Sequence, residues 1–190
     1  MFLKKISKLN TQKKFFLFVI LFDIIYYLLK ANGYYFTFLS FSSNTFLIIL
    51  TLIATLVLVV DLKLKKFWIV LGTIVILPIA LFKILLNVAV TDFSTSSLRS
   101  EDGSTRVFIE HRNATLGETH HFYNFYRETK FPLISEKLNN NLVEIVTRGF
   151  ESDGDADLQV LGYYNDKWSK DGKYVTFHSE YADTTIPLND

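Results

Sequence analysis

The run Phe67–Val90, FWIVLGTIVILPIALFKILLNVAV, separates two halves of the chain that differ in composition. Its 24 residues would form an α-helix of about 36 Å, against about 30 Å for the hydrocarbon core of a bilayer. Pro78 in the middle of the run predicts a kink. Lys83, about two turns from its end, has a stem long enough to place the amine at the interface. The run therefore predicts a transmembrane helix.

Two shorter apolar runs precede it and predict further helices at about residues 15–35 and 41–60. Residues 1–90 thus form a predicted anchor of three transmembrane helices, with the lipid bilayer as its first partner. Lysines precede the first run and fill the loop before the third, whereas the loop at 31–40 has none. The positive-inside rule then predicts a multi-pass protein of the cell membrane with a cytoplasmic N-terminus and the C-terminal half outside.

Asp23 lies inside the first apolar run, where a carboxylate is costly. One interpretation is a helix-packing acid that is hydrogen-bonded or protonated between helices, and the other is part of a proton or ion relay. A direct ion pair with Lys83 is disfavoured, because in parallel helices the two would lie about 12 and 24 Å from the inner edge. Asp23 and Lys83 are the two candidate polar residues within the membrane.

Charge divides the chain near residue 91. Residues 1–90 carry ten lysines and two acids, a net charge of +8, whereas residues 91–190 carry ten basic and seventeen acidic residues, a net charge of −7. The acidic half would repel phosphate, so no nucleic-acid partner is expected. The absence of cysteine excludes disulfides and thiolate metal sites.

The acidic half contains short stretches of alternating apolar and polar residues, separated by turn signals. The Ser/Thr-rich segment 91–103 is predicted as a connector, and residues 104–190 as an extracytoplasmic β-rich domain. Its strands are predicted at 105–112, 119–127, 131–138, 142–147, 158–164 and 173–178. The predicted fold class is therefore a membrane α-helical anchor of three transmembrane helices plus a small C-terminal antiparallel β domain.

The predicted strand 119–127, THHFYNFYR, carries aromatic residues on both faces. Either it is a central strand that is buried on both sides, or one face contacts a partner or the membrane surface. Trp168 and two tyrosines before it admit the same two interpretations. The candidate partner-binding residues are Phe122, Tyr123, Phe125, Tyr126, Tyr163, Tyr164 and Trp168.

The acidic half also contains all four histidines: His111, His120, His121 and His178. If Asn113 paired with Glu118 across the first hairpin, His111 would face His120, and a third ligand would complete a metal site. No zinc-ligand spacing is present, however, so surface or packing histidines are the preferred interpretation.

Asp153, Asp155 and Asp157 alternate as at the start of a calcium-binding loop. The EF-hand pattern would need glycine at Leu158 and glutamate at Tyr164, and the chain has neither. A solvated acidic turn is the preferred interpretation, so no metal and no cofactor is predicted.

Motifs for catalysis are absent from the sequence. It has no Gly-x-Ser-x-Gly, no phosphate loop, no His-Glu-x-x-His and no cysteine nucleophile. Serine, histidine and aspartate are scattered, and no triad is singled out. We therefore predict a protein that is not an enzyme.

The turn Ser100–Gly103 precedes the strand segment Arg106–Glu110, and the later segment Trp168–Tyr174 likewise contains a turn before a strand. This layout resembles small uncharacterised multi-pass membrane proteins of low-GC Gram-positive bacteria, in which a few helices lead into a β-rich domain that opens with a Ser-Pro-Asp-Gly-like turn. Glu101 stands where proline would be expected. The resemblance covers the layout and one short turn, and it implies no functional residue.

Together these patterns predict a membrane protein whose extracytoplasmic β-domain binds a protein or envelope ligand. One form of this hypothesis is a toxin-immunity protein that neutralises a basic secreted toxin, which an acidic domain would attract. The alternative is an accessory or structural subunit of a membrane protein complex. Such a subunit would associate through its helices, with Asp23 and Lys83 as polar contacts.

Overall fold

The computed structural model describes residues 10–39, 41, 44–61, 72, 78–79, 81–82, 85, 93–116, 118–139, 141–148 and 156–188. The chain divides into two compact units. The helical unit comprises residues 1–32 and 42–92, and the β unit comprises residues 33–41 and 93–190. A short segment between the first two helices therefore belongs to the β unit.

The helical unit contains α1, Thr11–Ala31, and α2, Thr45–Asp61. Asn10 caps α1, because its side-chain oxygen accepts a hydrogen bond from the Lys13 backbone N–H at 3.1 Å. The chain turns out of the helix at Gly33, whose φ of +80° is the left-handed conformation that commonly follows a helix end.

The prediction of three transmembrane helices is wrong, and with it the prediction of a multi-pass membrane protein. No helix among the described residues is both long and apolar enough to cross a membrane. α1 includes Lys13, Lys14, Asp23 and Lys30 within its 21 residues, and α2 has only 17 residues, about 25 Å of helix. The predicted third helix, 67–90, lies outside the described residues except for six scattered positions.

The described part of the β unit forms two antiparallel sheets. The larger sheet contains β1 Tyr34–Phe36, β2 Ser94–Arg99, β3 Arg106–Leu116, β4 Glu118–Glu128, β5 Ile134–Lys137 and β6 Val143–Thr147. Its strand order is β1-β5-β4-β3-β2, and β6 also pairs with β4. The smaller sheet contains β7 Asp166–Trp168, β8 Tyr174–Phe177 and β9 Thr184–Pro187, in that order. β4 is thus the central strand.

The stretch 158–164 is not a strand, contrary to the prediction. It forms a helix, α3 (Ala156–Leu161), followed by a short 3₁₀ helix, Tyr163–Asn165. The apolar residues at 158, 160 and 161 suit a strand or a helix, and all three are buried in the core. Gly162 ends α3 with a φ of +81°, and a Cβ there would lie 2.2 Å from the carbonyl oxygen of His178.

Several strands come from stretches for which the sequence predicts no strand. β2 lies within the predicted connector 91–103, and β1 lies between the two helices. Both are edge strands among the described residues, so they pair on one side and bury little. β2 packs only Leu98 against the core. β7 and β9 have three and four residues, too few to show a period.

One face of the larger sheet packs with α3 and the smaller sheet around the main core. Buried residues of this core include Ile109, Tyr123, Phe125, Val160 and Phe177. The rings of Phe125 and Phe177 stack with their centroids 5.6 Å apart. Burying each large apolar side chain stabilises the fold by about 1.5–3 kcal/mol relative to exposure.

The other face of β3 and β4 packs against the segment 33–41. Phe41 stacks on Tyr126 with ring centroids 4.1 Å apart. Glu110 is fully buried on this face, where its carboxylate accepts hydrogen bonds from the Tyr126 hydroxyl at 3.0 Å and the Asn124 amide at 3.3 Å. β4 is therefore buried on both faces, which explains why both carry aromatic residues.

Gly162→Ala is expected to destabilise the protein more than Gly172→Ala. Both glycines have positive φ, so either alanine costs about 1–2 kcal/mol for a left-handed backbone. Only at Gly162 would the new Cβ also collide with the backbone of His178, which adds about 1–3 kcal/mol for overpacking. Chemical denaturation of both full-length variants measures the difference, and equal losses would contradict this close approach.

Candidate functional site

The predicted partner-binding residues of β4 are mostly inaccessible. Tyr123, Phe125 and Tyr126 are no more than 2% exposed, so they cannot contact a partner directly. Phe122 is half-buried, and the guanidinium of Arg112 lies 4.8 Å from the centre of its ring. The aromatic content of this strand therefore reflects burial on two sides.

The other three predicted residues follow α3. Tyr163 is half-buried, and its hydroxyl donates to the backbone carbonyl of Ser97 at 2.8 Å. Tyr164 is 64% exposed. Trp168 is half-buried, and its indole N–H donates to the carboxylate of Asp166 at 2.8 Å. Tyr164 is thus the one exposed member of the predicted set, and Phe122, Tyr163 and Trp168 are half-buried.

A polar cleft of about 240 Å³ lies between two turns of the β unit, Ser100–Thr105 and Ser169–Gly172. The first turn joins β2 to β3, and the second joins β7 to β8. The cleft is lined by Ser100, Glu101, Asp102, Ser104, Thr105, Trp168, Ser169, Lys170 and Gly172. It is smaller than the roughly 300–1,000 Å³ of most small-molecule pockets, and it has room for one side chain of a partner. Trp168 is the predicted residue that lines it.

The two turns share the pattern Ser-x-Asp-Gly and the same hydrogen bonds. The glycine N–H donates to the serine carbonyl at 2.9 Å for Gly103 and 3.0 Å for Gly172. The serine hydroxyl accepts from the N–H five residues later, at 3.0 Å for Ser100 and 3.1 Å for Ser169. Each aspartate accepts from the N–H two residues later, at 3.0 and 3.2 Å. Both turns are therefore closed by the same set of local hydrogen bonds, which also includes one from the serine N–H to the carbonyl five residues later, at 3.0 Å in each turn.

The aspartates of these turns carry negative charge at neutral pH. Hydrogen bonds from Ser100 and Ser104 lower the pKa of Asp102 to about 2. Hydrogen bonds from Ser169 and Lys173 likewise lower the pKa of Asp171. A carboxylate held in its ionised form in the lining of a cleft favours a cationic ligand group.

Asp23 takes part in helix packing within the helical unit. The hydroxyl of Thr51 on α2 donates to its Oδ2 at 2.7 Å. Its Oδ1 is buried, and no donor among the described residues reaches it. Lys83 lies outside the described residues, so its predicted role stays a prediction.

The β3–β4 hairpin has a register different from the one considered for a metal site. Asn113 pairs with His121 rather than with Glu118, and His111 therefore pairs with Tyr123. Side chains alternate along each strand, so these four paired residues share the face that looks toward α3. His111 therefore does not face the histidine at position 120, and the register on which the alternative of a metal site depended is not the one observed.

The remaining histidines lie at the surface. The Nδ1 of His120 is 2.6 Å from Glu144 Oε1, and the Nδ1 of His178 is 3.1 Å from Asp183 Oδ1. Within the described part of the chain, no group of three or more histidine, aspartate or glutamate side chains is placed so that it could hold a metal ion. Residues 153 and 155 of the predicted acidic turn lie outside that part.

Asp157, in the first turn of α3, is the centre of a buried polar cluster. Its Oδ1 accepts from His121 Nδ1 at 2.6 Å and from Asn113 Nδ2 at 3.2 Å, while its Oδ2 accepts from His111 Nδ1 at 3.2 Å. Its backbone carbonyl accepts from the Tyr123 hydroxyl at 2.6 Å. We call these five residues the Asp157 cluster; they attach α3 to the central hairpin.

Each histidine of the Asp157 cluster has a hydroxyl at its other ring nitrogen. The Oγ of Ser96 lies 3.3 Å from His111 Nε2, and the Oγ1 of Thr147 lies 3.0 Å from His121 Nε2. A carboxylate only accepts, so the Nδ1 of each ring donates to Asp157. In the neutral ring, Nε2 then has a lone pair for the hydroxyl.

The charge of the cluster follows from its hydrogen bonds. Burial would raise the pKa of Asp157, but hydrogen bonds from His111, His121 and Asn113 outweigh it and hold that pKa well below its usual value. Burial, reinforced by the charge of Asp157, raises the pKa of Tyr123 well above its usual value. At neutral pH the cluster therefore contains an ionised carboxylate and a neutral phenol.

Sequence reasoning did not identify the Asp157 cluster. It assigned Asp157 to a solvated turn, whereas the residue is 4% exposed. One signal was present, because His111 and Asn113 lie two apart, as do His121 and Tyr123. Such spacing places four polar-tipped side chains on one face of a hairpin, but it does not show which residue they meet.

Comparisons with other proteins do not assign a function. No protein-family model matches the sequence, and neither the curated proteins nor the solved structures contain a significant match. The resemblance to small Gram-positive membrane proteins stays untested. The function is therefore inferred from the geometry and charge of the β unit.

Asp157→Asn is expected to reduce the acid sensitivity of the fold. The pKa of Asp157 in the folded protein lies below its ordinary value of 3.8. Near that pH the unfolded chain binds more protons, so this contribution to stability is present above about pH 4 and is lost as the pH falls. At neutral pH the free energy of unfolding of the variant should be about 1–3 kcal/mol lower than that of the wild type. On further acidification it should fall by less than that of the wild type.

Chemical denaturation at about pH 7, 5 and 3.5 tests this expectation. Asp183→Asn is the matched control, because its carboxylate is 63% exposed. Parallel pH curves for the wild type and Asp157→Asn would show that Asp157 does not supply the effect.

Proposed function

We propose that the β unit binds a basic protein ligand, which places a lysine or arginine side chain in the cleft between the two Ser-x-Asp-Gly turns. The observation that carries this proposal is that Trp168 and the ionised Asp102 line the same cleft. An indole face attracts a cation, and a nearby carboxylate pairs with it. Together they favour a basic side chain over a neutral one.

The charge of the chain supports the same class of ligand. Residues 91–190 carry a net charge of −7, which would steer a positively charged partner toward the β unit. The two turns themselves contain Glu101, Asp102 and Asp171. Tyr164, the most exposed of the predicted partner-binding residues, offers an aromatic contact of the kind enriched at interfaces.

A basic secreted toxin is one ligand of this kind, and a protein that binds it would act as an immunity protein. This role requires the β unit to lie outside the cell. Since no helix among the described residues is long and apolar enough to cross a membrane, that location no longer follows from the lysine distribution and stays a proposal. An envelope protein with an exposed basic segment is another ligand that would place a lysine or arginine side chain in the same cleft.

Fluorescence of Trp168 is expected to report binding. In a full-length Trp68→Phe variant, Trp168 is the only tryptophan. A peptide rich in lysine and arginine should change its emission in a saturable manner, and an acidic peptide of the same length should not. Raising the ionic strength from about 0.05 to 0.5 M should weaken binding, because screening shortens the range of the attraction.

Asp102→Asn in the same background should weaken binding of the basic peptide by about two- to fivefold, as expected for a solvent-exposed ion pair. Asp183→Asn, which removes an acid that does not line the cleft, is the control and should leave the affinity unchanged. An equal response to both peptides, or equal affinity in Asp102→Asn, would refute the proposed cleft.

A second candidate function is that of a subunit that associates with another protein through its helices. α1 exposes Phe18, Leu21 and Leu28 by 64%, 56% and 60%, and α2 exposes Phe46 by 53%. Large exposed apolar surfaces are typical of protein interfaces. The hydrogen bond from Thr51 to Asp23 joins the two helices that carry this surface.

Asp23→Leu distinguishes the two candidates. The substitution removes the hydrogen bond between α1 and α2, so a partner held by the helices should no longer co-purify with the full-length protein. The response of Trp168 to the basic peptide should be unchanged. If a co-purifying partner is still retained by Asp23→Leu, the role of Asp23 in the helical interface is wrong.

A further inference from the structure

A serine, a histidine and an aspartate are hydrogen-bonded in series across β2, β3 and α3. The Oγ of Ser96 lies 3.3 Å from His111 Nε2, and His111 Nδ1 lies 3.2 Å from Asp157 Oδ2. From this geometry we propose that Ser96 is a nucleophile and that the β unit hydrolyses carboxylic esters, an activity separate from ligand binding in the cleft. The series has the atom order in which a histidine takes the serine proton while a carboxylate holds its ring.

The Asp157 cluster fixes His111 in the tautomer that this chemistry requires. Because Asp157 accepts from Nδ1, the lone pair of Nε2 is directed toward Ser96. His121 and Asn113 donate to the other oxygen of the carboxylate at 2.6 and 3.2 Å, which leaves Oδ2 for His111. The ring of His111 is thus held from one side and meets the hydroxyl on the other.

His121 and Thr147 repeat the same arrangement in a buried place. Their Nε2 and Oγ1 atoms are 3.0 Å apart, but His121 is 0% exposed and Thr147 is 2% exposed. Ser96 is half-buried and lies on β2, which pairs only with β3 among the described strands. Of the two hydroxyl residues, Ser96 is therefore the less buried, and it is the one that we assign as the nucleophile.

The outer edge of β2 supplies a backbone donor next to Ser96. The N–H of Ser100 donates to the Thr105 carbonyl across the hairpin at 3.0 Å, so the backbone groups of Ser97 point away from β3 by alternation. The Tyr163 hydroxyl donates a hydrogen bond to the Ser97 carbonyl at 2.8 Å, which agrees with backbone groups of Ser97 that point away from β3. An N–H from the residue after the nucleophile is a recurrent donor to a developing oxyanion.

The reaction needs only the ester and water. Ser96 Oγ forms a bond to the acyl carbon as His111 Nε2 takes its proton, and the carbonyl π electrons move to oxygen. The tetrahedral intermediate collapses, the bond to the alcohol oxygen breaks, and the alcohol takes the proton from Nε2. Water then attacks the acyl-Ser96 in the same way and releases the acid. We expect esters to react faster than amides here, because an alcohol is a better leaving group than an amine.

A fluorophosphonate probe tests the nucleophile on the full-length protein. Mass spectrometry of its peptides is expected to find one phosphonyl group on Ser96. Ser96→Ala should abolish this label and lower the rate of p-nitrophenyl acetate hydrolysis by about 100-fold or more. His111→Gln should lower the rate of labelling and the rate of hydrolysis by a similar factor. Denaturation curves must show that each variant is folded.

Two variants serve as controls. Ser94→Ala removes an exposed hydroxyl from the same strand, and Thr147→Val removes the hydroxyl of the buried arrangement. Both should keep the label and the esterase rate within about twofold if folded. A folded protein that is not labelled at Ser96, or one that hydrolyses the ester equally well as Ser96→Ala, would overturn the proposal.

Discussion

The hydrogen bonds between Asp157 and the two histidines of the central hairpin are the interaction on which the β unit depends. One carboxylate there satisfies two imidazoles and an amide in a region where each unpaired polar group would cost about 1–3 kcal/mol. The same contacts hold α3, whose apolar residues complete the main core. Because His111 is positioned by the group that attaches the helix, the structural role and the candidate chemistry of Asp157 are not independent.

Periodicity predicted those elements whose burial is determined by their own sequence. β3 and β4 alternate because one face meets the core, and they were predicted within a few residues of their observed ends. The stretch 158–164 was misassigned because its apolar spacing suits two structures, and the choice depends on Asp157 and Gly162. The transmembrane prediction failed for a similar reason: apolar composition does not show where a helix ends, and Tyr34–Phe36 pairs with β5 rather than extending α1.

The candidate site was less predictable than the fold, because its groups are distant in sequence. Asp157 lies 46 residues from His111 and 36 from His121, so no local pattern relates them. The cleft is an intermediate case. Its two Ser-x-Asp-Gly turns can be recognised in the sequence, but that they line one cleft depends on the packing of two separate sheets. Trp168 was among the candidate partner-binding residues and lines the cleft, whereas its neighbours in the cleft were not predicted.

The segment 33–41 shows why the β unit cannot be considered as the C-terminal half alone. It supplies β1, in which Tyr35 pairs with the buried Ser135 of β5, and it supplies Phe41, which stacks on Tyr126 of the central strand. A chain that began after residue 90 would lack these contacts. The ring of Tyr126 and the carboxylate of Glu110 beside it would then become more exposed to solvent. Since α1 precedes this segment and α2 follows it, residues that lie between two helices in the sequence complete the sheet of the C-terminal half.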